Sequence, residues 1–111
     1  MSYVHCICAH WCDTCSEFRP LFDQLAGSQP QKVFRWHILE ELEEQFPDIE
    51  VENFPMILIA DASGKLQFTG PILPNRSALD HLLVATGDGK VVSRADELAS
   101  WQAIAQALCG A

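Results

Sequence analysis

Cys12 and Cys15 stand three residues apart in the run Trp11-Cys12-Asp13-Thr14-Cys15. On a helix that spacing is close to one turn, so the two sulfurs can approach each other. If the helix opens at Cys12, that sulfur faces backbone N–H groups without intrahelical partners and the positive end of the helix dipole. Both favour the thiolate, the reactive form of cysteine. One sulfur can then attack a disulfide, and the other can release the mixed disulfide that forms.

A competing chemistry is metal binding, because His5, Cys6, Cys8 and His10 crowd the same stretch. A structural zinc site wants four convergent ligands. On a strand Cys6 and Cys8 share one face while His5 points to the other. No second C-x-x-C pair follows further along. No native metal is expected, and Cys6 and Cys8 read first as small buried core residues.

The positioning elements follow from pattern. Residues 2–8 are short and rich in strand formers, which predicts a buried strand. Ala9-His10-Trp11 is a turn. A helix is expected from Cys12 to Ala26, with Phe18, Leu21, Phe22 and Leu25 on one face, a kink at Pro20, and Gly27-Ser28 ending it. Lys32–Ile38 alternates as a second strand. Glu40–Phe46 reads as a helix whose Glu40, Glu41, Glu43 and Glu44 form a solvated face. Met56–Ala60 and Lys65–Thr69 are a third and a fourth strand, antiparallel because Asp61-Ala62-Ser63-Gly64 joins them so tightly. Asn75 caps a helix carrying Leu79, Leu82 and Leu83 that ends at Gly87. Gly87-Asp88-Gly89-Lys90 is the one linker-like stretch. Ser93 is expected to cap a last helix over about 93–108, with Leu98, Trp101, Ile104, Ala105 and Leu108 on its apolar side. The result is a single α/β domain over 1–111, a mixed four-stranded sheet flanked by helices.

Bulk properties narrow the function. The chain has 111 residues, 49% of them hydrophobic, and a formal net charge of −8. That charge, with a pI near 4.7, argues against nucleic acid and against an anionic membrane. No apolar run approaches the ~20 residues of a spanning helix. The N-terminus shows no basic stretch followed by an apolar core, so a cytoplasmic location is expected. Five cysteines cannot all pair within one chain, and four fall between residues 6 and 15. In a reducing compartment so tight a group reads as redox chemistry or metal binding.

Trp11-Cys12-x-x-Cys15 between strand and helix, and Phe54-Pro55 just before the third strand, resemble the active-site motif and the cis-proline loop of the thioredoxin superfamily. Gly70 falls where that family often has a glycine beside the substrate groove. The likeness covers roughly residues 2–86. It implies a thioredoxin fold that lacks the N-terminal strand and helix, with the last helix covering apolar surface they would have covered. It implies a cis Pro55 packed near the dithiol. It further implies Cys12 as attacking thiol, Cys15 as resolving thiol, and a docking groove of Trp11, Phe54, Pro55 and Gly70.

The departures are specific. Asp13-Thr14 replaces the family's Gly-Pro pair, and Asp13 opposes the thiolate at Cys12 while His10 and the helix dipole favour it. Cys6 replaces the family's buried aspartate, so proton transfer at Cys15 must use water, Glu17 or another group. In the implied arrangement Cys6 and Cys8 lie under the motif, and Cys8 becomes a candidate third redox thiol. His37 is expected to decorate the second strand, His81 the solvent side of a helix, and Trp36 and Trp101 to pack. Cys109 is incidental or links two chains on oxidation.

The expected function is thiol–disulfide exchange on protein disulfides, in the reducing direction. It needs no cofactor beyond the thiols and a reductase partner for recycling, in a monomer or weak dimer. The alternative is a non-catalytic thioredoxin-like binding module using the same groove.

Overall fold

The computed structural model describes residues 2–49, 51, 53–87, 91 and 93–109. Its elements run β1 (Ser2–Cys8), α1 (Asp13–Ser28), β2 (Lys32–Ile38), α2 (Leu39–Gln45), β3 (Met56–Ala60), β4 (Leu66–Pro71), α3 (Arg76–Thr86) and α4 (Ala95–Cys109). The strands form one sheet in the order β2-β1-β3-β4. β1 runs parallel to β2, across the α1 crossover, and antiparallel to β3. β3 and β4 are antiparallel.

β1 and β3 are the inner strands, and both faces of each are covered. Alternation along β3 sends Ile57 and Ile59 to one side and Met56, Leu58 and Ala60 to the other. The first side packs Val4, Cys6 and Cys8 of β1 against Phe18, Phe22 and Leu25 of α1 and Leu79 and Leu83 of α3. The second packs Ile7, Leu58 and Leu66 against Leu42 of α2 and Ala105 and Leu108 of α4. Each fully buried Phe or Leu contributes about 1.5–3 kcal/mol by leaving water. Trp36 of β2 lies against Phe18 and Phe22, and Trp101 of α4 borders the second cluster.

Several boundaries differ from the sequence reading by a residue or two, and three of them have a clear local reason. α1 starts one residue later, with Cys12 as its N-cap, and runs through Gly27 and Ser28. The Ser28 hydroxyl donates to the Leu25 carbonyl at 2.9 Å, satisfying a terminal acceptor inside the last turn. β4 continues through Gly70 and Pro71, which pair with Ile57 and Met56. Gly70 therefore lies within the strand, not past it, at φ 154, and Pro71 is tolerated because β4 is an edge strand. Ser93 does not cap α4. Its hydroxyl donates to the Thr69 carbonyl and accepts the Thr69 N–H, both at 3.0 Å, and so occupies the open edge of β4. Asn75 does cap α3, accepting the Ala78 N–H at 2.8 Å. Residues 88–90 of the linker-like stretch lie outside the described residues.

α4 is tied to the sheet by polar contacts as well as by its apolar face. Gln102 accepts the Leu66 N–H at 3.0 Å and donates to the Gly64 carbonyl at 2.8 Å. Arg35 of β2 donates to the Leu108 carbonyl at 2.6 Å. Leu108→Ala should therefore destabilise by about 2–4 kcal/mol. Thermal melts followed by circular dichroism check this, and an unchanged Tm would mean that α4 does not hold the sheet.

His5 is fully buried on the α4 side of β1. Its Nδ1 lies 3.0 Å from His37 Nε2, and its Nε2 lies 3.5 Å from Cys109 Sγ. His37 thus joins a buried chain and does not merely decorate its strand. Burial, then the charges of His37 and Arg35, pull the His5 pKa down to about 3 from 6.5. Burial and Arg35 lower His37 as well. Above the ordinary imidazole value both states of the protein carry a neutral ring. Below it the unfolded chain binds a proton that the folded chain refuses, so stability falls as pH drops towards the folded value. Between pH 7 and about pH 4.5, His5 alone should cost about 2–3 kcal/mol. A Tm that declines over this window, with a shallower decline in His5→Phe, is the expected outcome; a flat Tm would contradict the burial of a neutral ring.

Candidate active site

β1 ends at Cys8, and a tight turn follows, in which the Cys12 N–H donates to the Ala9 carbonyl at 3.1 Å. The turn delivers Cys12 to the N-cap of α1 in extended backbone conformation. There its sulfur accepts the Cys15 N–H at 3.4 Å. A cysteine sulfur takes the place usually held by a Ser or Asp oxygen. This donor and the N-terminal end of the helix dipole both face the Cys12 sulfur.

The two thiols are unequal. Cys12 keeps 9% of its surface exposed and Cys15 only 2%. Burial pushes the Cys15 thiol up, and its hydrogen bonds to Cys8 and Cys12 push it further. Cys8 is pushed up too, first by its hydrogen bond with Cys6 and then by burial. The Cys6 and Cys8 sulfurs are 3.7 Å apart. Sulfur thus follows sulfur from the surface into the core, in the order Cys12, Cys15, Cys8, Cys6. All five cysteines are free thiols. Among the described residues, no three His, Cys, Asp or Glu side chains are arranged to hold a metal ion.

Trp11, next to Cys12 in the chain, connects this turn to the Phe54–Pro55 loop. The Phe54–Pro55 peptide bond is cis. The Pro55 carbonyl accepts the Ile72 N–H at 3.2 Å, which fixes the loop to the chain leaving β4. Trp11 is 70% exposed and meets Phe54 edge-to-face, with ring centroids 5.4 Å apart. Gly70 pairs with Ile57, two residues from Pro55. Leu73, just beyond β4, is a further exposed apolar side chain.

Two further candidates, Glu17 and His10, lie at the surface. Glu17 is exposed on α1, and no hydrogen bond joins it to Cys15 among the described residues. It does not take the place of a buried proton acceptor. His10 is exposed, and its backbone N–H donates to both Glu40 carboxylate oxygens, at 3.3 and 3.2 Å. Glu40 therefore holds the turn before Cys12 and is not simply part of a solvated face. Only the parallel register of β1 and β2, which brings the start of α2 beside that turn, could have revealed it.

No family model matches the chain, and no curated protein matches it in sequence. Solved structures do match in shape. Mitochondrial thioredoxin 3 from Saccharomyces cerevisiae, in its oxidised form, is 23% identical with a TM-score of 0.64, over 75% of this chain and 76% of that one. The oxidised thioredoxin of Plasmodium falciparum is 20% identical with a TM-score of 0.63, over 75% and 78%. The germline-specific thioredoxin Deadhead of Drosophila melanogaster is 18% identical with a TM-score of 0.62, over 77% and 80%. With its mixed four-stranded sheet and its helices on both faces, this chain has the thioredoxin fold.

Proposed function

We propose that this chain is a thiol–disulfide oxidoreductase that reduces protein disulfides through Cys12 and Cys15. The observation that carries the reading is the asymmetry of the pair: Cys12 is the more exposed sulfur, set at the N-cap of α1 where it accepts the Cys15 N–H, and Cys15 sits behind it as a buried thiol. The Cys12 thiolate attacks one sulfur of a client disulfide. The client S–S bond breaks, its second sulfur leaves as a thiolate and takes up a proton, and a mixed disulfide remains at Cys12. Cys15 then loses its proton and attacks the Cys12 sulfur, closing Cys12–Cys15 and freeing the client. Keeping Cys15 protonated until that moment prevents two neighbouring thiolates from competing.

Trp11, Phe54, Pro55 and Gly70 would form the client's docking surface, with an extended client segment lying along the Phe54–Pro55 loop as an added strand. A reductase partner restores the dithiol. The thiols themselves are the redox group, and no other cofactor is required. The reducing direction suits a cytoplasmic setting, with the chain a monomer or weak dimer; among the described residues no helix is long and apolar enough to cross a membrane. The acidic chain is unsuited to nucleic acid.

A binding module is the second reading, and one observation favours it. Cys6 is a buried thiol beyond Cys8, Glu17 is exposed, and among the described residues no carboxylate is buried to take the Cys15 proton. Catalysis separates the two. Cys15→Ser should accumulate covalent adducts with client proteins that are released by dithiothreitol, and Cys12→Ser should not. Insulin-disulfide reduction should fall to the uncatalysed level in Cys12→Ser/Cys15→Ser. Equal activity in the wild type and this double variant would favour the binding module.

A further inference from the structure

Cys15 has a sulfur neighbour on each side. Cys12 lies towards the surface, and Cys8 lies towards the core, in the same buried cluster as Cys15, where the two thiols influence each other's pKa, and 3.7 Å from Cys6. All four belong to one buried cluster. Cys8 closes β1 and Cys15 lies in the first turn of α1, so the turn between them holds both to the same spot. A disulfide that involves Cys15 is therefore open to attack from the inside as well as from the outside.

We propose, on the basis of the oxidoreductase reading above, that Cys8 is a third redox thiol, which takes Cys15 from Cys12 after client reduction has closed the Cys12–Cys15 disulfide. Cys8 gives up its proton and attacks the Cys15 sulfur. The Cys8–Cys15 bond forms and the Cys12–Cys15 bond breaks. The electron pair leaves on Cys12, which remains a thiolate or takes up a proton. One disulfide is exchanged for another, so the step consumes no oxidant or reductant.

The product differs from the starting disulfide in what it offers a client. Cys12 is again a free nucleophile, but its resolving partner is engaged. A client disulfide attacked in this state stays attached as a mixed disulfide until Cys8–Cys15 is reduced. The buried sulfur would thus convert a reductase into a trap under oxidising conditions. The hydrogen bond with Cys6 and burial hold Cys8 as a thiol. The exchange should therefore be slower than turnover at neutral pH and should accelerate as pH rises. If Cys8 merely fills the core, no disulfide to it forms at any pH.

The test uses the full chain with oxidised glutathione as oxidant. Free thiols are blocked with light iodoacetamide, disulfides are reduced, and the released thiols are labelled with the heavy reagent and located by tandem mass spectrometry. In Cys12→Ser, Cys8 and Cys15 should carry the heavy label on a chain that has lost two hydrogens and gained no glutathione. Cys8→Ala/Cys12→Ser should lack this intramolecular disulfide. In the oxidised wild type, chains with light label at Cys12 and heavy label at Cys8 and Cys15 should appear at a rate rising roughly tenfold per pH unit, as the reactive thiolate does. This wild-type measurement decides the matter even if Cys8→Ala fails to fold. A wild type that closes Cys12–Cys15 but never shows this pattern, with Cys12→Ser keeping Cys8 free, would overturn the proposal and leave the oxidoreductase reading standing. A wild type that forms no Cys12–Cys15 disulfide would overturn both.

Discussion

One hydrogen bond, from the Cys15 backbone N–H to the Cys12 sulfur, fixes the geometry on which the chemistry depends. It makes Cys12 the cap of α1, which places that sulfur at the positive end of the helix and brings the two sulfur-bearing residues onto neighbouring positions of one turn. The bond is possible because β1 is buried on both faces and cannot slide. A one-residue shift in its register would send Cys6 and Cys8 to the α4 side and His5 into the α1 core. The apolar sides of α1 and α4 thus do more than stabilise the molecule. They hold the strand that positions Cys12.

Much of this was legible in the residues themselves. Period-two alternation in Lys32–Ile38, the apolar run Met56–Ala60 and the 3.6-residue spacing of Phe18, Phe22 and Leu25 depend on local chemistry alone, and these elements stand where that chemistry puts them. The motif around Cys12 was legible for the same reason. What was not legible depends on pairing across long separations. Gly70 looks like a strand terminator until β3 is known to pair with it. Ser93 looks like a helix cap until the open edge of β4 is known to lie beside it. Glu40 looks like surface charge, and His37 like surface decoration, until parallel pairing brings them to His10 and His5. Polar side chains have several possible partners in sequence, and only the folded chain selects one.

The interior of the site is unusual in its chemistry. Cys8 borders Cys15 inside the core, and Cys6 lies 3.7 Å beyond Cys8, so Cys15 is backed by sulfur. Thiols are weak hydrogen-bond partners and poor bases when buried, so this surrounding keeps Cys15 protonated. At the surface the balance is reversed. Asp13 on the first turn of α1 and Glu40 beside the preceding turn put carboxylates on the Cys12 side of the site. The whole chain carries a net charge of −8, so these carboxylates lie on a strongly acidic molecule.

The central claim is that Cys12 and Cys15 exchange two electrons as a pair. A redox titration across defined ratios of reduced to oxidised glutathione, read by intact mass and by the position of the protected thiols, tests it most directly. The mechanism predicts a single two-electron transition in which residues 12 and 15 lose their free thiols together. Thiols that persist at residues 12 and 15 under every oxidising ratio, or that yield only separate glutathione adducts, would contradict it.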